Sequence, residues 1–91
     1  MAFTVVAYDI EDDGRREKIS RILEEAGGLR VQKSVFEVEL SPSEFRRLRK
    51  RLASLCGEDD SIRYYPLCRT CRGRILCQGK DIPGRRSVEV F

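Results

Sequence analysis

The chain contains no histidine. Imidazole is therefore excluded as a general base near neutral pH and as a metal ligand, leaving carboxylates and thiolates to carry any metal chemistry. Long apolar runs are missing as well. None approaches the roughly 18 residues of a membrane helix, and Met1-Ala2 leads straight into a strand-like segment with no room for a signal peptide. The expectation is a cytoplasmic protein that does not enter a membrane. Internal repeats and low-complexity tracts are absent too, so the 91 residues read as one small domain. A domain of this size buries only about two-thirds of its unfolded surface, which favours oligomerisation or a staple as a further source of stability.

Charge is plentiful. Charged residues make up 36% of the chain with both signs interspersed, and the formal net charge is only +3. That balance hides an asymmetry. Residues 1–13 hold four acids (Asp9, Glu11, Asp12, Asp13) and no lysine or arginine. Residues 63–86 hold seven cations against the single acid Asp81. A basic stretch of this kind suits a polyanion such as a nucleic acid, while a merely well-charged surface is the commoner source of scattered arginine.

Hydrophobic periodicity orders the elements. Phe3 to Tyr8 is short, apolar and β-branched, as in a buried strand. Gly14 to Ala26 repeats Ile19, Ile22, Leu23 and Ala26 at helical spacing, with Gly27-Gly28 as the stop. Arg30 to Leu40 reads as one long strand whose apolar phase breaks between Val31 and Val35-Phe36, which a bulge or strong twist near Ser34 would reconcile. Ser41-Pro42-Ser43-Glu44 is a capping box opening a second helix, with Phe45, Leu48, Leu52 and Leu55 on one face and Gly57 at its end. Ser61 to Leu67 is a further strand with Pro66 marking an edge. Arg74 to Gln78 is another, Lys80 to Arg86 a linker, and Ser87 to Phe91 a short alternating strand. The order is β-α-β-β-α-β-β-β, with the second strand before the second helix left open. It predicts an α+β, ferredoxin-like βαββαβ sandwich, with two helices on one face of an antiparallel sheet and an extra C-terminal strand. Residues 1–79 form the domain, and 80–91 form a linker and a strand added to a partner's sheet. The helix-free face has nothing left to cover it, so a homodimer is expected.

Three constellations bear on chemistry. Asp9 ends the first strand, held by a rigid element yet reaching solvent. It reads either as a metal or catalytic carboxylate or as the cap of the following helix. One carboxylate holds Mg²⁺ poorly, but a two-fold dimer would bring two copies of Asp9 to one axis, where an ion activates water and polarises a phosphodiester. Cys68-x-x-Cys71, with Cys56 and Cys77, offers a zinc tetrathiolate. Buried thiols or a disulfide are the commoner meaning of this spacing, and a pair that opens no helix after a β-α-β unit argues against a redox motif. Arg46, Arg47, Arg49, Lys50 and Arg51 flank the second helix. With Arg15, Arg16, Arg30 and the basic stretch after residue 62 they form a surface able to track phosphates without reading bases. Tyr8, Tyr64 and Tyr65 are available for base stacking, although Tyr64 and Tyr65 must face opposite sides of their strand.

The runs Tyr8-Asp9-Ile10 with Asp12-Asp13 and Arg16, Arg30-Val31-Gln32 with Ser34-Val35-Phe36-Glu37, and Ile62-Arg63 with Tyr65 resemble the second universal CRISPR-associated protein. That family comprises small ferredoxin-like subunits of spacer acquisition, also called CRISPR-associated endoribonucleases. The resemblance implies a homodimer in which facing Asp9 side chains bind Mg²⁺, and metal-dependent cleavage of RNA or double-stranded DNA. By position, Asp9 is the metal ligand and Tyr8 its neighbour, while Arg16, Lys18, Arg30 and Phe36 fall where residues affect cleavage. It also implies a bridge between integrase subunits with a prespacer duplex lying across it, so a non-catalytic adaptor is the alternative to an enzyme. The cysteines lie outside the shared core.

Overall fold

The alternation of Thr4, Val6 and Tyr8 with Phe3, Val5, Ala7 and Asp9 puts two chemically different faces on the first strand, and the architecture follows from that. A computed structural model describes residues 2–79 and 89–90. The strand β1 (Ala2–Asp9) lies at the centre of a four-stranded sheet with β2 (Leu29–Gln32), β3 (Val35–Leu40) and β4 (Ser61–Leu67), in the order β2-β3-β1-β4. Every pairing in it is antiparallel. Helices α1 (Asp13–Glu25) and α2 (Pro42–Ala53) bury Ile19, Ile22, Leu23, Leu48 and Leu52 against Val6, Tyr8, Phe36, Val38 and Leu40. Each such side chain, fully buried, contributes about 1.5–3 kcal/mol. This is the expected α+β, ferredoxin-like arrangement.

Local chemistry sets the helix ends. Asp12 caps α1 by accepting a hydrogen bond from the Arg15 backbone N–H at 2.8 Å, and the helix begins at Asp13, one residue before the start expected from periodicity. Gly27 takes φ +87°, and a Cβ on Gly28 would lie 2.7 Å from the Leu23 carbonyl oxygen, so only glycines end α1 this way. At α2 both halves of the capping box form: Glu44 N–H donates to Ser41 Oγ at 3.2 Å, and Ser41 N–H donates to Glu44 Oε1 at 2.8 Å. The Ser41 backbone N–H, and after it the Ser41 hydroxyl, hold the Glu44 carboxyl below its ordinary range.

Expectations change at three elements. Helix α2 stops at Ala53 with Ser54 as its C-cap, short of the expected Gly57. The stretch from Arg30 to Leu40 is a hairpin rather than one strand, turning at Lys33-Ser34 so that Gln32 pairs with Val35. The phase break is that turn, and a register shift between Arg30 and Gln32 adds an irregularity in β2. The strand expected at Arg74 to Gln78 is only β5 (Leu76–Cys77), outside the main sheet, and follows a four-residue helix α3 (Arg69–Arg72). At the C-terminus β6 (Glu89–Val90) pairs in parallel with β5 of the same chain. The expected linker Lys80–Arg86 and the remainder of the terminal strand lie outside the described residues. Pro66 falls on β4, an edge strand, as its missing N–H requires. No helix among the described residues is long and apolar enough to cross a membrane.

The helix-free face presents Phe3, Val5 and Ala7 of β1 between Val35, Glu37 and Glu39 of β3 and Arg63, Tyr65 and Leu67 of β4. It is not wholly bare. The Arg72 guanidinium from α3 lies 4.4 Å above the Phe3 ring centroid and pairs with Glu39 at 2.5 Å, roofing one corner.

Candidate functional site

Asp9 ends β1, paired through its backbone with Ser61 of β4, and is exposed. Strand alternation places it on the helix-free face with Ala7, and Tyr8 on the other. Its carboxylate makes no hydrogen bond or ion pair among the described residues. Because Asp12 caps α1, the helix-cap reading of Asp9 falls away. What remains is an unengaged carboxylate at the rim of a rigid sheet. One chain brings one such group. Mg²⁺ accepts one or two carboxylates and fills its octahedron with water and phosphate oxygens, so Asp9 fits as half of a symmetric site.

The loop after Asp9 is fixed from beneath by a residue that sequence reading missed. Asp60 has a side chain only 1% exposed. Its Oδ1 accepts from Glu11 N–H at 3.0 Å, and its Oδ2 accepts from Gly57 N–H at 2.7 Å and from Arg15 Nη1 at 2.5 Å. The two backbone donors, then Arg15, hold its carboxyl below the usual range. Arg15 also donates to the Leu55 carbonyl at 3.2 Å, so this guanidinium is part of the clamp. Arg16 donates to the Ile10 carbonyl at 3.1 Å and pairs with Asp13. The loop carrying the acids is thus gripped by two arginines of α1.

Tyr8, Arg16, Arg30 and Phe36 gather on the helix side. Tyr8 stacks on Phe36 with ring centroids 6.3 Å apart, and the Arg30 guanidinium sits 5.2 Å from the Phe36 centroid. Burial pushes the Tyr8 phenol up, with Arg30 and Arg16 pulling it partly back. Phe36 is entirely buried, so its contribution runs through packing rather than contact with a substrate. Tyr8 is buried as well and Tyr64 packs edge-on against Phe45 at 5.5 Å. Of the three tyrosines expected to stack on bases, only Tyr65 is exposed, at 45%.

Cations line the outer face of α2. Arg46, Arg47 and Lys50 are exposed and form no ion pair among the described residues. Arg49 lies 4.8 Å over the Phe45 ring, and Arg51 pairs with Glu25 at 3.7 Å. Lys18 is exposed on α1. No disulfide joins the four cysteines among the described residues. Contrary to expectation the Cys68-x-x-Cys71 pair does open a helix, the short α3, where Cys71 N–H donates to Cys68 Sγ at 3.4 Å. That donor and the Cys71 thiol lower the Cys68 pKa, and Cys71 is raised in return. No group of three metal-binding side chains forms among the described residues, so Cys56 and Cys77 do not complete a tetrathiolate.

A sequence profile of the family described as CRISPR associated protein Cas2 matches residues 1–75. The chain belongs to the Cas2 family. The CRISPR-associated endoribonuclease Cas2 3 of Synechocystis sp. is 53% identical over 68 residues, covering 74% of this chain and 73% of that protein. The CRISPR-associated endoribonuclease Cas2 1 of Chloroflexus aurantiacus is 38% identical over 91 residues, covering 98% and 97%. Among solved structures, the hypothetical protein TT1823 from Thermus thermophilus superposes with a TM-score of 0.70 at 41% identity, covering 74% of this chain and 82% of its own. A chain of a partial Cas6-RT-Cas1–Cas2 complex gives 0.70 at 32% identity, covering 93% and 88%. The Cas2 likeness therefore extends over the whole β1–β4 sheet and both of its helices.

Proposed function

We propose that this Cas2-family chain is a CRISPR adaptation protein that binds nucleic acid and cleaves phosphodiester bonds with Mg²⁺ as cofactor. The observation that carries the reading is the unengaged Asp9 carboxylate, aligned by β1 on the open sheet face and braced by the Asp60–Arg15 clamp. A homodimer formed through that face would set two Asp9 side chains about one two-fold axis. Bound there, Mg²⁺ supplies charge neutralisation at the scissile phosphate and acidification of a water. The chain itself does the rest. Asp9 holds the ion, β1 fixes the angle of approach, and the cations of α2 grip the backbone of the nucleic acid without selecting sequence. The names of the relatives, endoribonucleases, support a nuclease.

A second reading has its own support. Arg46, Arg47 and Lys50 form no ion pair among the described residues, and a similar chain occurs in a partial Cas6-RT-Cas1–Cas2 complex. Under it the chain is a dimeric adaptor that joins integrase subunits and holds the prespacer duplex, with no catalysis of its own. A Mg²⁺-titrated cleavage assay on RNA and on duplex DNA, run beside Asp9→Asn, separates the two. Cleavage that rises with Mg²⁺ and vanishes in the variant supports the nuclease. Normal spacer integration by Asp9→Asn supports the adaptor.

A further inference from the structure

Tyr8 is 5% exposed, and its hydroxyl has no hydrogen-bond partner among the described residues. Buried phenol groups ordinarily find one, because an unpaired polar group inside a protein forfeits its hydration for nothing. This hydroxyl belongs to a side chain bordering a cavity of about 300 Å³, whose other walls include Arg16, Arg30, Lys33, Asp13 and Glu17. The acids there are already engaged. Glu17 pairs with Arg21 at 3.0 Å and Asp13 with Arg16. Arg30 is steadied by the Phe36 ring and by donation to the Lys33 carbonyl at 3.4 Å, while Glu24 reaches it only at 3.7 Å. The Lys33 ammonium forms no ion pair among the described residues.

We propose that this cavity is a phosphate-binding site, in which the Tyr8 hydroxyl, the Arg16 and Arg30 guanidiniums and the Lys33 ammonium donate to the phosphate oxygens. The two lining side chains with no polar partner among the described residues, the Tyr8 hydroxyl and the Lys33 ammonium, can both donate. The cations Arg16, Arg30 and Lys33 outnumber the acids Asp13 and Glu17, so the guest is an anion. The donors arrive from four places, β1, α1, β2 and the turn joining β2 to β3. That spread suits a tetrahedral oxyanion better than a planar carboxylate, which offers two oxygens in one plane. The site lies on the helix side of the sheet and Asp9 on the other, so it is separate from the cleavage centre proposed above. It leans on the nucleic-acid reading only for the source of its phosphate, a strand terminus or free inorganic phosphate. The Asp13 carboxylate now occupies Arg16 as a phosphate oxygen would.

The test titrates inorganic phosphate into the full chain at constant ionic strength, with chloride as control, and follows backbone amide shifts by NMR. Saturable shifts centred on Tyr8, Arg16, Arg30 and Lys33 are expected. Tyr8→Phe removes the hydroxyl without opening a void and should weaken binding about tenfold, the effect of one hydrogen bond to a charged group. Lys33→Ala should weaken it and Asp13→Asn should tighten it. Diffuse, unsaturable shifts, or equal affinity in Tyr8→Phe and the parent, overturn the proposal. Short duplexes with and without a terminal phosphate identify the source. A parent preference for the phosphorylated end that Tyr8→Phe lacks assigns a strand terminus, and indifference of the parent assigns inorganic phosphate. Cleavage without saturable phosphate binding sinks the cavity and spares the nuclease. Phosphate binding in a chain that cuts nothing does the reverse.

Discussion

Asp9→Asn should separate activity from stability. The change is isosteric and removes one charge from an exposed side chain without a partner among the described residues, so the folded chain loses nothing it was using. Such surface substitutions stay within about 0.5 kcal/mol, which for a domain of this size moves the melting temperature by about 2–4 °C. If two copies face each other across a dimer axis, relief of their repulsion nudges that shift upward. Activity follows different arithmetic. If Asp9 holds the proposed ion, losing a clamp worth several kcal/mol in the transition state slows cleavage by about a hundredfold or more, at roughly 1.4 kcal/mol per decade. Asp12→Ala is the matched control, since this carboxylate three residues on caps α1 instead. Losing the cap costs about 1 kcal/mol and about 4–8 °C, with cleavage per folded molecule retained. Initial rates against Mg²⁺ concentration on RNA and duplex DNA, with melting curves for all three proteins, measure both effects. Asp9→Asn cutting at the parent's rate, or melting far below it, refutes the reasoning.

Other perturbations test the surroundings. Asp60→Asn should lower the melting temperature at pH 7. Because the folded carboxyl is held below its unfolded value of about 3.9, its stabilisation is full above that pH and fades as pH falls through the folded value. Melting curves of variant and parent should therefore converge below about pH 4, and a gap that stays constant would discount the clamp. Reversing Arg46, Arg47 and Arg49 to Glu should weaken duplex binding equally for all sequences. The slope of log affinity against log salt should fall by about 0.9 for each phosphate contact removed, as binding isotherms at several salt concentrations will read. Phe36→Ala should cost about 3–5 kcal/mol, a large share of a marginal total, so its lost activity should track the unfolded fraction in a denaturant titration. Phe36→Leu should recover most of both.

The fold was legible wherever the signal was local. The Ser41–Glu44 capping box, the Gly27-Gly28 stop and the apolar spacing of Ile19, Ile22 and Leu23 each act within a few residues, and each stands where it was expected. The β2–β3 hairpin was not, because Lys33-Ser34 lacks the Asn-Gly or Asp-Gly chemistry that announces a tight turn. Asp60 was invisible for another reason. It ends the acidic run Glu58-Asp59-Asp60, and nothing in that run says which member turns inward. Its partners Arg15 and Glu11 come from 45 and 49 residues away. The commitment of Arg15 to that clamp rests on the same long-range pairing. The opposite facing of Tyr8 and Asp9 is legible, since a strand's period of two separates neighbours. Cys68 opening α3 depended on a turn too short for periodicity to register.

Arg72, resting on Phe3, divides the helix-free side into unlike halves. The largest apolar ring there is already covered by the chain's own guanidinium. The strip left to water recedes toward Val5, Ala7 and Tyr65, nearer the end of β1 that carries the acid. Anything settling on this side is therefore guided by shape toward the carboxylate-bearing half. Changes in the short turn holding Arg72 can then reshape that side while leaving the residues beside Asp9 untouched.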